Sequence, residues 1–211
     1  MPLAQLDVAN FAIAHLAIGR PIGAMNEATQ AAKVMTQFYN RARDESLRAY
    51  DWPFATKFAT LVKVAGPSPR ASVDWLYSYT YPADCIRARK IRVQPRRPDV
   101  RLARVPFVVS QQLVLTDVAP IAATTDLPAM PELEYTVVVG EAAWPIDFVS
   151  AISQLLAWYA APLLTAGDPH KLGLRARDEW DRMIRSAWES NMNEREEDTG
   201  DPESEFLTAR A

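Results

Sequence analysis

Residues 26–55, NEATQAAKVMTQFYNRARDESLRAYDWPFA, decide how the rest of the chain is arranged. Asn26 is a good helix N-cap, because its side chain accepts hydrogen bonds from otherwise unpaired amides. After it, Ala28, Ala31, Met35, Phe38, Ala42 and Ala49 recur at intervals of three to four and share one helical face. Lys33, Gln37, Arg41, Asp44, Arg48 and Asp51 fall on the other face, and Asp44 precedes Arg48 by four, the favourable order for a helical ion pair. Pro53 ends the helix, since the residue before a proline avoids the helical region. The expectation is one amphipathic helix of roughly 24 residues that forms the spine of a bundle. It runs into an aromatic anchor, Trp52 and Phe54.

Working outward, residues 3–18 read as a first helix with Val8, Phe11, Ala12 and Leu16 on one side. Gly19 and Pro21 stop it. Residues 57–64 alternate and read as a strand, and Gly66, Pro67, Ser68 and Pro69 form a turn cluster. Trp75, Tyr77, Tyr79 and Tyr81 alternate with the period of a strand that has one packed face. Short strands follow at 91–93, 105–109, 113–116 and 134–139, with a proline-rich loop at 126–131. Residues 145–164 return to helical spacing through Phe148, Ile152, Leu155, Leu156, Tyr159 and Leu163. Asp168 and Pro169 open a last helix that carries Leu172, Ala176, Trp180, Met183, Ile184, Ala187 and Trp188. The fold class expected is α+β: a bundle of about four helices built from both ends of the chain, with an inserted antiparallel β region. The bundle takes residues 1–56 and 145–196, the β insertion 57–144, and an extended C-terminal arm 197–211.

The 211 residues are 49% hydrophobic and 23% charged, an ordinary globular balance. Gly 7 against Pro 16 favours rigid turns over flexible linkers. With 23 basic and 26 acidic side chains the net charge is −3, which carries no nucleic-acid signal. One cysteine, Cys85, excludes an intrachain disulfide and fits a reducing compartment. The N-terminus has no signal-peptide pattern, and no apolar run is expected to reach the roughly 20 residues of a membrane span. These features predict assembly in a cytoplasm.

Reactive groups are sparse. His15 and His170 are the only histidines; His15 reads as a core-edge or interface residue and His170 as plain surface. Two histidines and one cysteine do not make a usual structural zinc site. Cys85 reads as a small buried residue. No phosphate-binding glycine loop or nucleophile elbow occurs. Glu132 with Glu134, and Asp178 with Glu179, are candidate carboxylate pairs, better explained by solvated faces. The aromatic strand beside Arg87, Arg89, Lys90 and Arg92 could be a stacking platform for single-stranded nucleic acid. A core or interface strand explains it more simply. Charge is segregated: residues 87–104 hold eight basic side chains against Asp99, and 194–210 hold seven acidic ones against Arg195 and Arg210. Such segregation is either solvated surface or a set of contacts that steer assembly.

In order along the chain, Tyr39, Ala42, Arg43, Leu47, Trp52, Phe54 and Ala55 are followed by the aromatic strand ending in Tyr79–Cys85 (YTYPADC) and a basic strand. An aromatic-proline helix start, a charged helix and a closing acidic, hydrophobic, Ala–Arg segment come after them. This series resembles the phage tail tubular protein A family, the adaptor rings beneath the portal of short-tailed phages. The resemblance spans nearly the whole chain except roughly 95–131. It implies a structural virion protein without catalysis, metal or organic cofactor: a head-to-tail adaptor, a homo-oligomeric ring of about twelve copies. Its partners would be the portal above and a tail nozzle protein, tail tubular protein B-like, below. Genomic DNA would pass through the channel, and no membrane would be involved. The resemblance assigns Phe206, Leu207 and Arg210 to portal binding. Arg96, Arg97 and Arg101 are expected to face the nozzle or the channel, and Trp52 and Phe54 to be the structural anchor. The rival readings are a polysaccharide-directed hydrolase of a phage tail and a nucleic-acid-binding module using 87–104.

Overall fold

The computed structural model describes residues 4–17, 20–64, 75–92, 105–120, 131–165 and 168–193. The chain is an α+β protein whose described residues form four helices and two small three-stranded antiparallel sheets. By its contacts it divides into two compact units. Unit 1 comprises Met1–Thr56, Asp84–Arg87 and Thr136–Glu194; unit 2 comprises Lys57–Ala83, Ala88–Tyr135 and Arg195–Ala211.

Unit 1 holds helices α1 (Gln5–His15), α2 (Gln30–Ala49), α3 (Ile146–Leu164) and α4 (Pro169–Asn193). α1 starts where the Asp7 carboxylate accepts the Ala4 amide at 2.9 Å. It stops earlier than residue 18, at Leu16, and Ala17 takes a positive φ of 54°. Asn10 pins the returning chain, its side-chain oxygen accepting from the Ile22 amide (2.9 Å) and its amide donating to the Ile22 carbonyl (3.1 Å). The buried side of α1 is Val8, Ala9, Ala12 and Ile13, whereas Phe11, expected inside, is 46% exposed.

α2 begins three residues later than Asn26 suggested. Residues 23–27 form a turn of their own. The Glu27 amide donates to the Ala24 carbonyl (3.2 Å), and the Glu27 carboxylate accepts the Gly23 amide (2.8 Å). Thr29 is the cap instead, its hydroxyl accepting from the Ala32 amide at 3.3 Å. The buried face is Ala32, Val34, Met35, Tyr39, Ala42, Ser46 and Leu47. Ala31, Phe38 and Ala49 are only partly buried. The helix ends at Ala49, Tyr50 is extended, and Pro53 opens a short 3-10 turn, Pro53–Ala55. The expected Asp44–Arg48 pair gives way to two other contacts. Asp44 takes Arg43 at 2.8 Å, and Arg48 donates to the Ile86 carbonyl at 3.2 Å.

α3 is packed on α1, α2 and α4. Its Phe148, Val149, Ala151, Ile152, Leu155, Leu156, Ala157, Ala160 and Ala161 are buried. The expectation that no apolar segment approaches a membrane span needs correcting here. α3 has 19 residues and is apolar enough by length and composition alone, but more than half of its apolar stretch is buried inside the protein, as in a core helix. α4 is capped by Asp168, whose carboxylate accepts the Lys171 amide at 3.0 Å. It turns Ala176, Trp180, Ile184 and Ala187 into the core.

In unit 2 the segment read as one strand over 57–64 serves two sheets. β1 (Thr56–Thr60) lies in a sheet ordered β1-β6-β3, with β3 at Cys85–Arg92 and β6 at Glu132–Val137. Beyond the buried Leu61, residues 62–64 pair with β2 (Tyr77–Thr80). The Thr80 amide donates to the Val62 carbonyl (2.9 Å) and the Val64 amide to the Ser78 carbonyl (3.0 Å). A strand that changes sheets in this way makes a corner. The second sheet is ordered β2-β5-β4, with β4 at Val108–Ser110 and β5 at Leu113–Thr116, both pairs antiparallel. Gln111 and Gln112, both at positive φ (50° and 60°), make the two-residue turn that joins β4 to β5. The turn cluster at 66–69 lies outside the described residues.

Candidate functional site

The aromatic anchor is the best defined cluster in unit 1. Trp52 is fully buried, and its indole nitrogen donates to the Ser46 carbonyl at 3.0 Å, across the end of α2. Its ring meets Phe148 of α3 edge-on at 5.0 Å, and Phe54, half-buried, meets Phe148 at 5.1 Å. Trp144 also meets Phe148 edge-on, at 5.3 Å. Edge-to-face geometry at these separations is the favourable arrangement for aromatic rings. Ser46, fully buried, has both oxygens used, because its hydroxyl accepts from the indole nitrogen of Trp180 at 3.3 Å. One small residue of α2 thus takes an indole from each side.

A second cluster joins α2, α3 and α4. The Tyr159 hydroxyl donates to the Glu45 carboxylate and accepts from Arg41 at 3.0 Å. Arg177 donates to the other Glu45 oxygen at 2.8 Å and lies over the rings of Trp180 (4.2 Å) and Trp158 (4.9 Å). Burial, then the Glu45 carboxylate, push the Tyr159 hydroxyl above the usual phenol range. Tyr39, also buried, donates to Glu141 at 2.9 Å, and burial and that acid hold its pKa far above the ordinary value. These groups are engaged with one another, as a structural network requires.

Sequence reasoning overlooked a serine–histidine contact. Nε2 of His15 lies 3.0 Å from the Ser153 hydroxyl. Ser153 is fully buried and its hydroxyl donates to the Ser150 carbonyl at 2.8 Å, so the histidine can only donate to it. Nδ1 then accepts from the Gln154 amide at 3.2 Å, with no carboxylate behind the ring. Burial lowers the His15 pKa, against the charge of Glu179, which raises it. A nucleophile needs access and a free acceptor on its base; this pair has neither and fastens α1 to α3. Among the described residues no group of three histidine, cysteine or carboxylate side chains could hold a metal ion. Cys85, expected to be buried, is only partly so.

The carboxylate candidate Glu134 is not on a solvated face. It is buried on β6, and Arg92 of β3 donates to it through Nε (3.0 Å) and a terminal nitrogen (2.8 Å). Arg92 also lies over the Phe58 ring at 4.6 Å. Arg89, expected to be exposed with its neighbours, is 8% exposed. On β2, Tyr79 is fully buried and donates to the Val118 carbonyl at 2.6 Å, so it is not available as a stacking surface.

At the surface of unit 1, two arginines cross. Arg48, at the end of α2, donates to the Ile86 carbonyl at 3.2 Å, and Arg87 donates back to the Arg48 carbonyl. Both are exposed. Tyr50, two residues on, stacks on Trp188 of α4 at 5.1 Å, and the Trp188 indole nitrogen is buried without an acceptor among the described residues. Of the residues singled out in the sequence, Trp52 and Phe54 come together on Phe148. Arg96, Arg97, Arg101, Phe206, Leu207 and Arg210 lie outside the described residues.

No family model matches the chain, and no curated protein matches it. The resemblance to the tail tubular protein A family therefore rests on the residues quoted for it.

Proposed function

We propose that this chain is a structural virion protein, the head-to-tail adaptor of a short-tailed phage, similar to tail tubular protein A. It would form a ring between the portal and the tail nozzle and part of the channel for genomic DNA. The reading places it in the virion at the head–tail interface, assembled in the host cytoplasm, with no catalytic role. The observation that carries it is the ordered series of motifs from Tyr39 to Arg210 on a frame of helices from both ends and a β insertion. Five of the seven spine motif residues, Tyr39, Ala42, Leu47, Trp52 and Ala55, are buried in one core. The rival nucleic-acid reading draws less support, because Arg89 is buried and Arg92 is paired with Glu134.

In this reading Phe206, Leu207 and Arg210 dock on the portal, each apolar side chain contributing roughly 1.5–3 kcal/mol of burial before entropy costs. Repetition around a ring raises the effective concentration of each arm. The test is deletion of residues 204–211 followed by co-sedimentation with portal. The shortened chain should keep its thermal midpoint and lose the portal. Undiminished co-sedimentation would show that the helices make the joint.

A further inference from the structure

The crossed arginines of unit 1 are two exposed cations fastened to main-chain carbonyls. Arg48 and Arg87 each spend one donor on a main-chain carbonyl, Ile86 for the first and Arg48 itself for the second. A guanidinium has five N–H donors, so most of each remains available. Among the described residues their side-chain hydrogen bonds go to these carbonyls; Asp44, four residues before Arg48, is taken by Arg43 at 2.8 Å. The two side chains are thus held in place by neutral groups while staying exposed. That is the preorganisation a carboxylate-binding pair needs, because less side-chain freedom is lost when the anion arrives.

We propose that Arg48 and Arg87 receive the acidic segment 194–205 of a second copy of this chain. Charge complementarity selects the occupant: this segment holds all seven acidic residues of the C-terminal stretch and, of its basic residues, only Arg195. Guanidinium and carboxylate match in geometry and charge. The basic pair and the acidic segment are different patches of one chain, so their contact is heterologous and propagates from copy to copy until rotation closes it. The inference rests on the ring-forming part of the adaptor reading and names the contact that closes the ring. Its test needs no portal, so its failure is separate from that of the portal joint.

The experiment is sedimentation of the full chain alone over a concentration series at low and high salt. The unaltered protein should self-associate at low salt and dissociate as salt screens the pairs. R48Q/R87Q should weaken association roughly tenfold, the scale of two or three exposed ion pairs. E196K/E197K/D198K should weaken it equally, without touching the main-chain carbonyls that Arg48 and Arg87 hold, so it reads the contact even where the arginine variant misfolds. Combining R48E/R87E with E196K/E197K/D198K should restore association. A full chain that stays monomeric at low salt overturns the proposal, as does association indifferent to the tail reversal.

Discussion

Trp52 is the fully buried member of the anchor pair, whereas Phe54 is partly buried. Trp52 touches Phe148 and Phe54, and its nitrogen is satisfied by the Ser46 carbonyl. Trp52→Ala should cost about 3–5 kcal/mol, the range for removing a buried large aromatic. A chemical-denaturation midpoint unchanged from the parent would contradict it. His15 gives a pH signature at the same scale. Its folded pKa lies below the ordinary 6.5, with burial as the main cause. Between those two values the unfolded chain binds the proton more readily, so folding stability falls as pH drops below 6.5 and levels off below the folded pKa. Above 6.5 the contribution is fully present. His15→Gln should flatten this part of the stability–pH curve; a curve of the same slope would assign the dependence to another group. The sequence pointed to Trp52, because a W-P-F run after a long helix has few other uses. It did not point to Ser153, because the contact spans 138 residues.

The β4–β5 hairpin is where an element departs from its own local preferences. Its two turn residues, Gln111 and Gln112, sit at φ 50° and 60°, a conformation that costs an L residue roughly 1–2 kcal/mol. Asn-Gly is the pair that suits this turn. Q111N/Q112G should therefore stabilise the protein by about 1 kcal/mol after the added flexibility of glycine in the unfolded chain is offset. The expected readout is a raised thermal midpoint; a lowered one would mean that the glutamine side chains make contacts the turn depends on. The strands were legible in their alternation, and β5 lies where the sequence placed it, at Leu113–Thr116. The starts of helices were less so. Asn26 and Thr29 are both competent caps, and the choice between them was made by the turn that Glu27 closes on Gly23.

For the whole molecule, assembly is the property to test. In the adaptor reading Arg96, Arg97 and Arg101 face the nozzle or the channel. Reversing all three to Glu should leave the thermal midpoint within about 0.5 kcal/mol in stability terms, as surface changes usually do. Attachment of the nozzle protein or DNA ejection should be lost. Particles that assemble and eject normally would reduce these arginines to solvated surface. Charge segregation was visible in the linear sequence, but its partitioning was not. Within 87–104, Arg92 is drawn to the buried Glu134, Arg89 is itself buried, and Arg87 stays at the surface across from Arg48.

The sequence by itself determined the α+β class, the helices at both ends, the inserted strands and the aromatic anchor. Each of these follows from periodicity, capping and turn chemistry within about twenty neighbouring residues. Tertiary structure alone decided which face of α2 is buried, that residues 56–64 turn between two sheets, and that Glu134 is an interior ion-paired acid. It alone decided that His15 and Ser153 fasten two helices. Such outcomes depend on partners 40 to more than 100 positions away, for example 42 for Arg92 with Glu134 and 132 for Arg177 with Glu45. Local pattern carries no record of those distances, because a side chain's environment is set by what the folded chain brings to it.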